Sequence, residues 1–194
     1  MLISDAYREQ QQRLHERDDY GVASLHYAPL VAAAVERLGV DELLDYGCGK
    51  GRLGPALAGL LKRPVGVRGY DPAVPERAAR PEPAFLVACI DVLEHIEPEC
   101  LDDVLDDLRR VTRGVGVFTV HCGPAMKTLD DGRNAHLTQR PVEWWRERLA
   151  SRFEVLAVRP LPEGACFEVA RRPPWWARAL RSLLAPKGAP DGGS

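Results

Sequence analysis

The sequence lacks several features that would place it in a class at once. It has no Cys-x-x-Cys pair: its five cysteines, Cys48, Cys89, Cys100, Cys122 and Cys166, are odd in number and spread along 194 residues. That excludes a paired-cysteine zinc site, argues against a disulfide frame, and leaves free thiols in a reducing compartment. It has no apolar run approaching the ~18 residues that a membrane span requires. The stretch from Met1 to Asp19 is dense in charge and glutamine, which is unlike a secretory leader. Charge of one sign is also missing. A net charge of −2 gives no chain-wide pull toward nucleic acid. With no internal repeat either, the expectation is a cytoplasmic protein built around one core.

What is present is an alternation of two periodicities. Ile3 to Glu16 reads as a polar helix with a thin stripe of Ile3, Ala6, Tyr7 and Leu14. A second helix carries Tyr27, Leu30, Val31, Ala34, Val35 and Leu38 and is closed by Gly39. Strands are expected at Glu42 to Tyr46, Val65 to Tyr70, Ala84 to Ile90, Val115 to Val120, Phe153 to Val158 and Ala165 to Ala170. The run Ala84 to Ile90 is apolar throughout, as in a central parallel strand buried on both faces. Helices are expected over Arg52 to Lys62, over Leu101 to Val111, and from Pro141 to Ala150. The fold class is therefore α/β, a doubly wound and mostly parallel sheet whose last two strands are antiparallel neighbours joined through Leu161 to Gly164. Pro72, Pro75, Pro81 and Pro83 leave little room for another element between Asp71 and Ala84. The expected division is a helical cap over 1–22, a core domain over 23–170, and a basic, aromatic, partly flexible tail over 171–194.

The densest chemical signal is Leu43 to Gly51, Leu-Leu-Asp-Tyr-Gly-Cys-Gly-Lys-Gly. A buried strand breaks there into three glycines at alternate positions. Asp71 follows at the end of the next strand. A glycine turn followed by an acid on the next strand fits a nucleoside-containing cofactor, with backbone against one end and a carboxylate on the ribose. The dinucleotide pattern needs a third glycine where Arg52 stands, and a phosphate loop needs Gly-Lys-Ser/Thr, which Gly49 to Arg52 does not supply.

Gly47-x-Gly49-x-Gly51 after Leu-Asp45 resembles motif I of the class I S-adenosylmethionine-dependent methyltransferases. Tyr-Asp71-Pro is similar to the acidic end of that superfamily's second strand, and Cys-Ile-Asp91-Val-Leu-Glu-His95-Ile to its post-strand-four motif. The resemblance covers residues 20–170 and implies a Rossmann-like methyltransferase fold with strand three reduced or absent. It implies S-adenosyl-L-methionine as cofactor, with Gly47, Cys48, Gly49 and Gly51 against the methionine portion. By the same carry-over Asp45 steers the α-amino group, Asp71 takes both ribose hydroxyls, and Asp91 lies near the methionine. The superfamily's adenine-side acid has no counterpart here.

A methyl acceptor oxygen needs its proton removed; His95, His121 and His136 are the candidate bases, with Glu94 close by, and His95 and His121 are taken as the catalytic pair. Trp144 and Trp145 are adjacent, so one is expected in the core and the other toward groove or solvent. Asp18 to Tyr20 are candidates to fold over the cofactor. If Asp91, Glu94 and His95 begin a helical turn they share one face, an arrangement that suits a divalent cation. Metal-free methyltransferases carry the same residues, so no metal is assigned. The resulting expectation is a methyltransferase acting on a small-molecule or carbohydrate-intermediate acceptor, with oxygen preferred over nitrogen. Metal-assisted RNA 2′-O-methylation is the second reading, and a non-catalytic cofactor-binding scaffold the third. A monomer or homodimer is expected, and a weak membrane-surface contact is left open for the tail.

Overall fold

A computed structural model describes residues 1–17 and 20–172. Asp18, Asp19 and the basic aromatic tail lie outside the described residues, and so do the roles suggested for them. The elements run α1 (Asp5–His15), α2 (Ala23–Leu38), β1 (Glu42–Tyr46), α3 (Leu53–Ala58), β2 (Gly66–Tyr70), β3 (Ala84–Ile90), α4 (Leu101–Val111), β4 (Thr112–His121), α5 (Val142–Ala150), β5 (Phe153–Leu161) and β6 (Gly164–Arg171).

The strands form one sheet in the order β2-β1-β3-β4-β6-β5. β2, β1, β3 and β4 are parallel, and β6 returns antiparallel beside β4 with β5 outside it. Side-chain alternation on β3 explains the two layers. Leu86, Ala88 and Ile90 face a cluster with Val31 and Val35 of α2 and Leu53 and Leu57 of α3. Val87 and Cys89 face the opposite cluster with Leu101, Leu105 and Leu108 of α4 and with Trp145 and Leu149 of α5. The sheet is covered on both faces, which is the condition under which parallel strands read as continuous apolar runs.

Three local departures from expectation have physical causes. α3 stops at Ala58 instead of reaching Lys62, because Gly59 follows it and is a poor residue for a helix interior. Leu60 is consequently 48% exposed. The last two strands reach further than their apolar runs, with Pro160 paired to Ala165 and Leu161 to Gly164. Pro160 is tolerated because β5 is the sheet edge, where a missing N–H costs no ladder bond. Ala6 is exposed, so the buried stripe of α1 is Tyr7, Gln11 and Leu14, with Ile3 just ahead of the helix.

The proline-rich stretch holds only a 3₁₀ turn at Pro75–Arg77, so among the described residues no strand extends the sheet beyond β2. The carboxyl ends of β1, β2, β3 and β4 therefore open along one rim. α1, Ala73, Leu129 and Ala135 pack over that rim as a third, smaller cluster, with Tyr20 beside it.

Candidate active site

Residues at the carboxyl ends of β1, β2 and β3 line one cavity of about 450 Å³, which is closed above by α1, Tyr20 and the loop after β4. Its floor is the glycine turn. Gly47, Gly49 and Gly51 all have positive φ (77°, 45° and 70°), a region that side chains rarely enter. Gly47 donates to Tyr70 O at 2.7 Å, and a Cβ there would stand 2.5 Å from Val92 Cγ2. The turn is thus fixed to the end of β2, with no room for a side chain at its first glycine. Cys48 is buried beneath it, and burial pushes its thiol up to about 12, which makes it an inert wall.

Asp45 and Asp71 stand at the ends of neighbouring strands and are both buried. The Asp71 carboxylate accepts from Gly49 N and from Ala73 N, each at 2.9 Å, so it clamps the glycine turn to the chain leaving β2. Asp45 lines the cavity, and its carboxyl is pushed up to about 7 by burial and by the nearby Asp71, against the pull of Arg77. Arg77, which the sequence reading did not single out, donates to Gly49 O at 2.5 Å. This gives the proline-rich stretch a role, since its 3₁₀ turn presents the guanidinium that braces the glycine turn.

Asp91 has φ of 58°, the only positive value on a non-glycine among the described residues. Its N–H meets Thr119 Oγ1 at 3.0 Å. Such conformations persist where the surroundings over-determine them, and they concentrate at working sites. The face proposed for Asp91, Glu94 and His95 is not formed, because Asp91 precedes the short Leu93–His95 turn in this left-handed state. Glu94 is fully buried and accepts from His121 N at 2.6 Å. Burial and its contact with Asp91 hold Glu94 well above the usual carboxylate range. Among the described residues no group of three His, Cys, Asp or Glu is arranged to hold a metal ion.

Three imidazoles complete the wall. His95 and His136 meet at 4.7 Å between ring centroids, as do His121 and His136. His95 Nδ1 lies 2.8 Å from Ala135 O and His136 Nδ1 2.7 Å from Gly123 O. A carbonyl oxygen only accepts, so each Nδ1 carries the hydrogen and each Nε2 keeps its lone pair. Burial pulls His95 down to about 4, with Asp91 opposing and His136 adding to the drop. His121 differs: Nε2 donates to Glu163 Oε2 at 2.5 Å, while Nδ1 faces both the N–H and the carbonyl of Gly123. Neither His121 nitrogen offers a lone pair to the cavity. His136 was named in the sequence as a candidate base and as a possible metal partner; the fold sets it edge-on to His95.

Of the two tryptophans, Trp145 is fully buried and Trp144 lies between Arg140 and Arg148 at the surface. Tyr20 lines the cavity edge-on to His15 at 5.2 Å and to His95 at 6.2 Å. Behind it runs a chain of hydrogen bonds. Tyr20 OH donates to Gln11, the Gln11 amide donates to Tyr7 OH, and Tyr7 OH donates to His95 O.

This architecture and glycine turn are the fold of the class I S-adenosylmethionine-dependent methyltransferases. The 1,6-didemethyltoxoflavin-N1-methyltransferase of Burkholderia thailandensis, solved with 1,6-didemethyltoxoflavin and S-adenosylhomocysteine bound, superposes with a TM-score of 0.61 at 16% identity, covering 87% of this chain and 90% of that one. The magnesium protoporphyrin IX methyltransferase of Synechocystis PCC 6803, with S-adenosylhomocysteine bound, gives 0.57 at 15% identity over 87% and 95%. An O-methyltransferase family protein from Burkholderia thailandensis gives 0.58 at 11% over 88% and 63%. No protein-family model matches the chain, and no curated protein matches it in sequence. Among the described residues no helix is long and apolar enough to cross a membrane.

Proposed function

We propose that this protein is an S-adenosylmethionine-dependent methyltransferase acting on an oxygen of a small-molecule or carbohydrate-intermediate acceptor. The observation that carries this reading is the convergence, in one cavity, of the glycine turn, Asp45, Asp71, Asp91 and a neutral imidazole with an open lone pair. The residues fit the cofactor. Asp45 is a buried carboxyl poised to ionise beside an ammonium group. Asp71 is held by two backbone N–H groups and retains acceptor capacity on both oxygens for a vicinal diol. Leu2, Ile3, Pro72, Ala73, Val92 and Ile96 give an apolar wall for the adenine, in place of the missing acid beyond β2.

When bound, the cofactor supplies an electrophilic methyl group on a sulfonium, and the remaining work falls to the protein. His95 Nε2 takes the proton of the acceptor hydroxyl as its oxygen becomes nucleophilic. Asp91 stabilises the imidazolium that forms. The hydrogen bond to Ala135 O fixes the tautomer, and His136 holds the ring edge-on. His121, tied to Glu163 and Gly123, sets the acceptor's orientation at the rim. The neighbour bound to 1,6-didemethyltoxoflavin, an N1-methyltransferase, supports a small acceptor, and the O-methyltransferase family neighbour supports oxygen.

The test is incubation with methyl-labelled S-adenosylmethionine and a fractionated metabolite extract, with an RNA fraction alongside. Label is expected in a metabolite and not in RNA, and His95→Ala should slow transfer by roughly 10²–10⁴-fold, the usual loss of a general base, while still binding S-adenosylhomocysteine. Label confined to RNA would move the assignment to nucleic acid. Binding with no transfer into any fraction would leave a scaffold.

A further inference from the structure

Resting on that cofactor reading, we infer that His15, the last residue of α1, is a ribose-binding residue that works jointly with Asp71. The ring lies directly over the glycine turn: a Cβ on Gly49 would stand 2.8 Å from its Cε1, and it also lies near Gly21. Its Nε2 is 3.9 Å from Asp71 Oδ2, too long for a hydrogen bond. Its Nδ1 is buried with no partner among the described residues. At 3.9 Å from the carboxylate Nε2 makes no hydrogen bond either, so the buried imidazole bears the desolvation cost of its polar atoms unless a ligand meets them. It also lines the cavity, edge-on to Tyr20.

A hydroxyl set between the two side chains meets Nε2 and the Asp71 carboxylate, with Nδ1 left as the acceptor nitrogen on the side of Gly21. It donates to the carboxylate, which only accepts, and accepts from the imidazole N–H. The vicinal diol of a ribose supplies such a group where the end of β2 already places the acid. The imidazole is neutral, since burial lowers it against the opposing Asp71, so it keeps one donor and one acceptor nitrogen. The ring is held at this height by the strap behind it: Lys50, from the glycine turn, donates to Arg17 O just past the helix end. Packing of Ile3, Tyr7 and Leu14 in the rim cluster anchors the rest of α1. A histidine that only packed would have no reason to aim a nitrogen at the carboxylate.

The experiment is calorimetry on the full chain with two probes, S-adenosylhomocysteine and 5′-methylthioadenosine, which keeps the ribose and lacks the amino acid. Wild type, His15→Ala, His15→Gln and Asp45→Ala are compared, with unfolding of each free protein recorded. His15→Ala is expected to weaken both probes by about 3–10-fold, the worth of one hydrogen bond. His15→Gln, whose amide nitrogen reaches the place of Nε2, should stay within about threefold of wild type by restoring that bond. Asp45→Ala should weaken S-adenosylhomocysteine alone. Unchanged affinity in His15→Ala overturns the inference while leaving the cofactor reading intact, and so does an equal loss in His15→Gln with normal unfolding. Absence of binding to the wild type overturns the cofactor reading and the inference with it.

Discussion

Asp45 is the residue whose protonation decides how well the cavity receives a cationic group. Burial comes first and Asp71 second in raising its carboxyl to about 7. Because the folded value lies above the ordinary carboxylate value near 3.9, the native state binds more protons than the unfolded chain between about pH 4 and pH 7. The free protein therefore loses the stability owed to Asp45 as pH rises through that window. Ligand binding runs the other way, since an ammonium needs the ionised form. Affinity for S-adenosylhomocysteine should climb roughly tenfold from pH 6 to pH 8, as the ionised fraction of a group titrating near 7 grows. Asp45→Asn should bind weakly with a flat profile, and a wild-type profile flat over the same range would remove Asp45 from the ammonium site. At this scale Asp45, Gly47, Gly49, Gly51 and Asp71 were legible in the sequence because their identities are dictated by backbone geometry and by charge at strand ends. Arg77 and His15 were not, because their partners Gly49 and Asp71 lie 28 and 56 residues away, and the pairing of the candidate base His136 with His95, 41 residues away, was not either. Only the folded chain brings those pairs together.

Among the elements, the β5–β6 hairpin shows what apolar periodicity reads well and what it misses. Alternation located both strands, yet their length was underestimated, because Arg159, Pro160 and Gly164 carry no strand signal. The true end of the hairpin is set by Gly164, where a Cβ would stand 1.9 Å from Val120 O on β4. No side-chain rotation relieves a collision with backbone. Gly164→Ala should force β6 off β4 where Cys122 N donates to Glu163 O at 2.8 Å and where Glu163 reaches His121. A loss of about 1–3 kcal/mol is expected for such overpacking, visible as a lower denaturation midpoint. Unchanged stability would mean that the strands stand further apart than described. α1 teaches the complementary lesson. Its stripe was readable as amphipathic, but not what it covers, since Tyr7 and Gln11 are buried through hydrogen bonds to His95 and Tyr20. Polar residues used as core carry no periodic signature.

For the molecule as a whole, the order β2-β1-β3-β4-β6-β5 puts every chemical group on one rim and leaves the opposite rim to structure. With no strand beyond β2 among the described residues, the cavity is covered by the N-terminal segment and the loop after β4, whose Leu129 and Ala135 pack with Ile3, Tyr7 and Leu14. The fold was legible as a sheet with covered faces. The loop from Met126 to His136 was legible as a candidate lid, but its packing against α1 was not, because the two segments share no common pattern. It follows that ligand binding and lid stability are linked. S-adenosylhomocysteine at a hundred times its Kd should stabilise the native state by about 2.7 kcal/mol. At roughly 2–4 °C per kcal/mol for a chain of this size, the unfolding midpoint should rise by about 5–10 °C. Hydrogen exchange should slow first in α1 and in residues 122–140, while α5 and β5, away from the cavity, should change little. Asp71→Ala should lose both effects. A midpoint shift with no added protection in α1 would show that the segment does not contact the ligand, and would confine the site to the strand ends.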